Sequence, residues 1–371
     1  MRVLVASDKF KGTLTSAEVA EAVGAGVRRV CPDATVVGVP VADGGDGTLA
    51  AAVASGYTLV PMVASGPTGE PVQSGYARSG NTAVVELADV SGLVRLPGGV
   101  PAPLTATTYG TGELIAAAVD AGCTRIVLGI GGSASTDGGR GLIRALSGTN
   151  SPLRDKLVPE SEVDALRRRL HGVEVVVACD VDNPLTGPRG AAAVYGPQKG
   201  ADPRQVAELD AELAGWADAV ARATGRDLRD TPGAGAAGGV GFAALALLDA
   251  ELRPGIDLVL EMVRFSEQLE GAELVITGEG ALDEQTLHGK AVAGVAASAH
   301  ASGVPVVAVC GVNRLALDRL HGIGVSAVCA LTDVEPDVER CIAEPRPLLE
   351  VLGERIAAAH LTMTRRERGI A

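Results

Sequence analysis

Short β-branched runs that end abruptly in glycine, aspartate and hydroxyl residues recur along this chain, and each reads as a strand feeding a tight polar loop at the edge of an α/β sheet. Thr124-Arg-Ile-Val-Leu128 runs into Gly129-Ile-Gly-Gly-Ser-Ala-Ser-Thr-Asp-Gly-Gly139, with a helix predicted over 142–146. Val173-Glu-Val-Val-Val-Ala178 runs into Cys179-Asp-Val-Asp-Asn-Pro-Leu185, and Glu273-Leu-Val-Ile276 into a loop predicted over 277–290. Near the start, Val3-Leu-Val-Ala6 leads to Ser7-Asp-Lys-Phe-Lys-Gly12, and Val36-Val-Gly-Val-Pro-Val-Ala42 to Asp43-Gly-Gly-Asp-Gly-Thr48. Such loops present backbone N–H groups, hydroxyls and carboxylates at the carboxyl edge of a sheet, where α/β proteins bind phosphate and other small anions. A single loop of this kind could equally be a glycine-rich turn with a Ser, Thr or Asp helix cap. Five of them read together as one polar site built at strand termini.

The pattern between these loops alternates. Thr15 and Glu18 have capping-box spacing and predict a helix to about Val30. A helix over 48–54 and a strand over 58–63 follow. Val72 to Arg78 and Thr82 to Ala88, joined by Ser79-Gly-Asn81, then read as an antiparallel hairpin. A hairpin interrupts a doubly wound sheet, so a domain boundary is expected near Gly66. Beyond it come helices over 111–121 and 161–170, a polar stretch over 147–158, a long amphipathic helix over 202–224, and a glycine-rich segment at 232–239 opening a helix to about Leu252. Regular alternation returns from Lys290. The expected architecture is a discontinuous Rossmann-like parallel α/β domain, 1–66 with 286–371, and an inserted mixed α/β domain, 67–285, with a cleft gathering the loaded strand ends.

Composition narrows the function. Over 371 residues the formal charge is −13, which argues against nucleic acid or an anionic membrane as the main partner. An anionic substrate would then need local positive charge. Aromatic residues are 2% of the chain, too few for a base-stacking platform. The six cysteines form no CxxC pair and the five histidines show no metal-ligand spacing; His288 alone has a suggestive neighbourhood. The first residues lack the apolar run of a signal peptide, and no long uncharged apolar run occurs elsewhere, so a cytoplasmic setting is expected.

Two motifs mislead. Gly233-Ala-Gly-Ala-Ala-Gly238 satisfies GxGxxG, yet Arg229-Asp-Thr-Pro232 stands where the dinucleotide fingerprint needs a strand. Gly289-Lys290 ends like a phosphate loop, but Glu284 and Ala291 break the Walker pattern.

Taken in order, Asp8-Lys-Phe-Lys-Gly-Thr13, Pro40-Val-Ala-Asp-Gly-Gly-Asp-Gly-Thr48, the 129–139 and 179–185 loops, Gly196-Pro-Gln-Lys-Gly-Ala201, the 232–239 segment and Gly278-Glu-Gly-Ala-Leu-Asp-Glu-Gln-Thr286 with Gly289-Lys290 strongly resemble the glycerate kinase type-1 family over about residues 1–312. The stretch after Arg140 departs from that family, being shorter and more polar. The resemblance implies ATP-dependent phosphorylation of glycerate, usually to 2-phosphoglycerate, on a two-domain α/β fold. Phosphoryl transfer asks a protein for positioning, charge neutralisation and a carboxylate to orient or deprotonate the attacking hydroxyl. Asp180, Asp283 and Lys290 are the expected catalytic groups. Asp8, Lys9, Lys11, Gly131, Gly132, Ser133, Asn183, Lys199, Gly278 and Glu279 are expected to bind substrate or phosphate. Asp43, Asp46 and Asp137 are expected to hold Mg²⁺. The implied ligands are ATP, Mg²⁺ and glycerate, with no nucleic-acid or membrane partner and homodimerisation left open. Competing readings are a kinase of another small hydroxy acid, a 3-phosphoglycerate-forming enzyme, a nicotinamide-dependent oxidoreductase, and a catalytically silent anion-binding module.

Overall fold

The computed structural model describes residues 1–10, 12–148, 160–287 and 289–362; Lys11, His288 and most of the polar stretch 147–158 lie outside the described residues. Eleven strands are present among those described: β1 Arg2–Ser7, β2 Thr35–Gly38, β3 Thr58–Ser65, β4 Pro71–Ser79, β5 Thr82–Glu86, β6 Arg125–Gly129, β7 Glu174–Ala178, β8 Glu251–Arg253, β9 Leu274–Leu282, β10 Val306–Asn313 and β11 Ala327–Ala330. The chain divides into two compact units, an outer one of residues 1–43 with 256–371 and an inner one of residues 44–255.

The outer unit carries a five-stranded sheet in the order β11-β10-β9-β1-β2, parallel throughout. Its central strands are continuous apolar runs because both faces are covered. Val3, Leu4, Val5, Val275, Ile276, Val307 and Val309 are all buried. The helix Ser16–Val30 starts as its sequence predicts. Glu18 N–H donates to Thr15 Oγ1 at 3.3 Å while Thr15 N–H donates to Glu18 Oε2 at 2.8 Å, so two otherwise unpaired donors of the first turn are satisfied reciprocally.

The inner unit carries a six-stranded mixed sheet, β3-β4-β5-β6-β7-β8. β3, β4 and β5 form an antiparallel meander; β5 to β8 are parallel. The predicted hairpin is present, turning at Gly80, whose φ of 58° suits a residue without a Cβ. The unit's core gathers Leu114, Ile115, Ile126, Leu128, Leu142, Val177 and Phe242 among others.

The observed boundaries differ from those expected at Gly66 and residue 285. β3 pairs with β4 from Thr58↔Arg78 to Ser65↔Pro71, so Gly66 is a hairpin turn inside the inner unit and not its border. β9 lies between β1 and β10 and therefore belongs to the outer sheet. It also runs on to Leu282, because Val312 and Asn313 of β10 pair with Ala281 and Leu282 and hold this glycine-containing stretch extended. Conversely β2 stops at Gly38, short of Ala42, and the glycine-opened helix Ala236–Leu247 gives way to the short strand β8.

Candidate active site

In the outer unit β1 and β9 are neighbours, and their carboxyl ends bring Asp8 and Glu279 together. Asp8 N–H donates to Gly278 O at 2.9 Å, and Lys9 N–H donates to Asp8 Oδ1 at 2.7 Å. Burial, then the negative charge of Asp43, pushes the Asp8 carboxyl up to about 7; the Lys9 N–H and ammonium oppose this, and Glu279 adds to it. Glu279 is also raised, chiefly by burial. The Thr286 hydroxyl, donating to Glu279 Oε1 at 2.6 Å, and the Lys290 ammonium pull it back, whereas Asp283 and Asp43 push it up. Four carboxylates thus share one corner with Lys290, which stands at the N-cap of the helix Ala291–Ala301. Such a cluster stores repulsion that a cation or a lysine-paired phosphate relieves.

In the inner unit the adjacent parallel strands β5, β6 and β7 end in Glu86, Gly129 and Ala178. The loop after β6 lies directly on the loop 44–48: a Cβ at Gly131 would come 2.6 Å from Gly45 Cα, so only glycine permits the approach. Lys199, 2% exposed, closes the loop from the other side. Its ammonium donates to Ser133 Oγ at 2.9 Å and to Ser135 O at 2.5 Å. Burial lowers it to about 7, with the Asp137 charge opposing. A buried ammonium held by neutral oxygens alone is an incomplete electrostatic arrangement that an anion completes.

Several expected residues make bonds within the scaffold. Asp137 is not placed as a metal ligand. Its carboxylate accepts from Thr108 N–H at 2.9 Å, Thr108 Oγ1 at 2.8 Å, Gly139 N–H at 3.0 Å and Gly141 N–H at 3.1 Å, tying together the starts of the helices Tyr109–Asp120 and Arg140–Ser147. Gly278 is a mid-strand residue whose Cβ would meet Val309 O at 2.2 Å, so its glycine serves strand packing and its backbone belongs to the ladder. Asn183 is held by the Tyr195 hydroxyl, which donates to Oδ1 at 2.6 Å, and itself donates to Arg189 O. Asp180 Oδ1 accepts from Gly255 N–H at 2.8 Å, and Asp283 Oδ1 from Gln285 N–H at 2.9 Å, so each carboxylate has one oxygen in a backbone bond. Asp46 is exposed in the inner unit, while Asp43 belongs to the outer cluster. Among the described residues no group of three or more His, Cys, Asp or Glu side chains is arranged to hold a metal.

One residue escaped the sequence reading. Glu86, 4% exposed, accepts from Gly47 N–H with both oxygens at 3.2 Å and from Leu49 N–H at 2.8 Å, fixing the loop 44–48. Burial raises it to about 7. A glutamate at the end of an otherwise apolar strand was the available signal. The GxGxxG segment is likewise structural: Ala237, Gly238 and Gly239 all have positive φ, and a Cβ at Gly238 would meet Ser135 O at 2.1 Å. These residues pack the segment against the loop after β6.

Residues 3–361 match a family model described as the glycerate kinase family. A glycerate kinase of Bacillus subtilis strain 168 is 43% identical, the alignment covering 97% of each chain. A glycerate 2-kinase of Escherichia coli K12 is 41% identical over 88% of this chain and 90% of its own. Among solved structures, a Salmonella typhimurium LT2 protein assigned as glycerate kinase 2 superposes with a TM-score of 0.80 at 36% identity, covering 99% of both chains. No helix among the described residues is long and apolar enough to cross a membrane.

Proposed function

The chain belongs to the glycerate kinase family, and on that premise we propose that it transfers the γ-phosphoryl group of ATP to the 2-hydroxyl of D-glycerate, giving 2-phosphoglycerate in the cytoplasm. The observation that carries this reading is the outer corner of Asp8, Asp43, Glu279 and Asp283 around Lys290, a set built to meet phosphate and a hard cation at once.

That donor set fits Mg²⁺, which binds through one or two carboxylates plus substrate phosphates and needs no dedicated protein cage. Asp43 and Asp8 would hold it, and when bound it neutralises phosphate charge. Lys290 and Lys9 pair with phosphate oxygens. Lys290 also lies beside the first backbone N–H groups of its helix, so its charge acts where negative charge develops during transfer. In the inner unit Lys199, Ser133 and the N–H groups at Gly131 and Gly132 receive the glycerate carboxylate. Asp180 and Asp283 are the proposed groups that orient the attacking hydroxyl and take its proton.

The test is ADP release from Mg-ATP over a panel of small hydroxy acids, followed by ³¹P NMR of the product. D-glycerate should be preferred and 2-phosphoglycerate formed. A 3-phosphoglycerate product would overturn the regiochemistry, and undiminished activity in excess chelator would remove the Mg²⁺ assignment.

A further inference from the structure

Within the inner unit, apart from the Lys199 site, lies a cavity of about 1380 Å³. Its walls are the starts of the helices Tyr109–Asp120 and Arg140–Ser147 and one side of Pro203–Thr224. Two arginines stack on its aromatic residues: the Arg140 guanidinium lies 5.3 Å from the centroid of the Trp216 ring and that of Arg144 5.6 Å from Tyr109. Arg140 is also met by Glu212, at 3.7 Å. Arg144 makes no ion pair among the described residues, and its Nε is buried without a hydrogen-bond partner, as is Thr136 Oγ1 on the same wall.

An arginine charge without a paired carboxylate is electrostatically incomplete unless a neighbouring acid completes it. The neighbouring acids do not. Asp137 is consumed by backbone N–H groups and Asp218 pairs with Arg229 at 2.5 Å, while Glu208 is exposed, where water screens its charge. Leu104, Ala106, Leu209 and the Trp216 ring supply apolar lining. We infer that this cavity is a binding site for a small organic anion whose apolar body lies on that lining and whose carboxylate or phosphate pairs with Arg144. Trp216 Nε1–H donates to Gly138 O at 3.0 Å.

Trp216 is the only tryptophan of the chain and lines the cavity, so its emission reads occupancy without reference to kinase activity. The intact protein, free of ATP, is titrated with phenyl phosphate, benzoate and inorganic phosphate. At least one of the two aromatic anions should change Trp216 emission saturably, with inorganic phosphate weaker than phenyl phosphate. Saturating D-glycerate should not compete. Arg144→Gln should weaken binding by on the order of tenfold or more. Leu104→Asp serves as a second variant, since Leu104 is 40% exposed and its loss leaves the core intact; a carboxylate there should repel the probe. No saturable change with any probe, competition by glycerate, or unaltered affinity in folded Arg144→Gln and Leu104→Asp proteins would overturn the assignment. These outcomes are independent of whether the chain phosphorylates glycerate.

Discussion

At the scale of single residues, Lys199 and Asp137 are opposites: one a charge hydrogen-bonded only to neutral oxygens, the other saturated with donors. Lys199, lowered to about 7, loses its proton as pH rises through that value in the free protein. Anion binding at Ser133 should follow, so KM for glycerate should increase above pH about 7 while that for ATP changes less. In Lys199→Met the increase with pH should vanish and kcat/KM for glycerate fall by on the order of tenfold or more. A variant with the native pH profile would remove Lys199 from the site. The linkage to stability has the sign of a depressed lysine: its contribution is present above the unfolded value, near 10.4, and is lost as pH falls from there to about 7. For Asp137 the expectation is structural. Asp137→Ala strands the donors of Thr108, Gly139 and Gly141, and should lower unfolding stability by roughly 3 kcal/mol or more in urea titrations, with Asp137→Asn less damaging because one acceptor oxygen remains. Stability within about 0.5 kcal/mol of wild type would show those bonds to be dispensable.

At the scale of elements, close helix packing in the outer unit depends on two glycines. A Cβ at Gly26 in Ser16–Val30 would come 1.9 Å from Glu350 O, and one at Gly353 in Pro345–Ile356 would come 2.3 Å from Val23 O. Gly26→Ala should therefore destabilise the protein by about 3 kcal/mol, despite alanine's better helix propensity, because the helices must separate. A rise in Tm would show that the contact yields without cost. Nothing in the sequence around Gly26 distinguishes it from a helix-weakening glycine, since the reason for it lies far along the chain. Local signals were legible where the cause is local. Thr15 and Glu18 marked the helix start, and Ser79-Gly-Asn81 marked the hairpin turn, although Ser79 itself pairs with Thr82. Where pairing partners are distant, legibility failed. The run after Ile276 looks like a loop until Val312 and Asn313 lie beside it, and the hairpin at Gly66 looks like a border until β3 is seen to pair along its length with β4. The site shows the same division. Asp8, Glu279 and Lys199 stood out as polar residues at strand ends or in glycine loops, whereas Asp137 looked like a ligand because its donors, Thr108 and Gly141, are reached only through the fold.

At the scale of the whole molecule, the inner unit is one continuous segment inserted into a unit made of both ends of the chain. Entry and exit are adjacent: a Cβ on Gly44 would lie 2.8 Å from Gly255 Cα. Among the described residues no strand is exchanged, since β3 to β8 make one sheet and the remaining five make the other. The two cores are separate as well: Leu114, Leu128 and Phe242 belong to one, and Val5, Ile276 and Leu352 to the other. A segment that owns its sheet and core and whose ends meet loses little when its tethers are cut. Residues 44–255 expressed alone should therefore fold, giving far-UV circular dichroism with both helix and strand, blue-shifted Trp216 emission from a buried ring, and a single cooperative urea transition. The reciprocal chain, residue 43 joined to 256 by a short glycine-serine linker, should also fold, followed by circular dichroism because it contains no tryptophan. By the proposed division of roles neither piece should release ADP from Mg-ATP and glycerate, since Lys290 and Lys199 fall in different pieces. Gradual, non-cooperative unfolding of the 44–255 segment would show that its core needs the outer unit to form, and turnover by either piece alone would show that the chemistry resides in one unit.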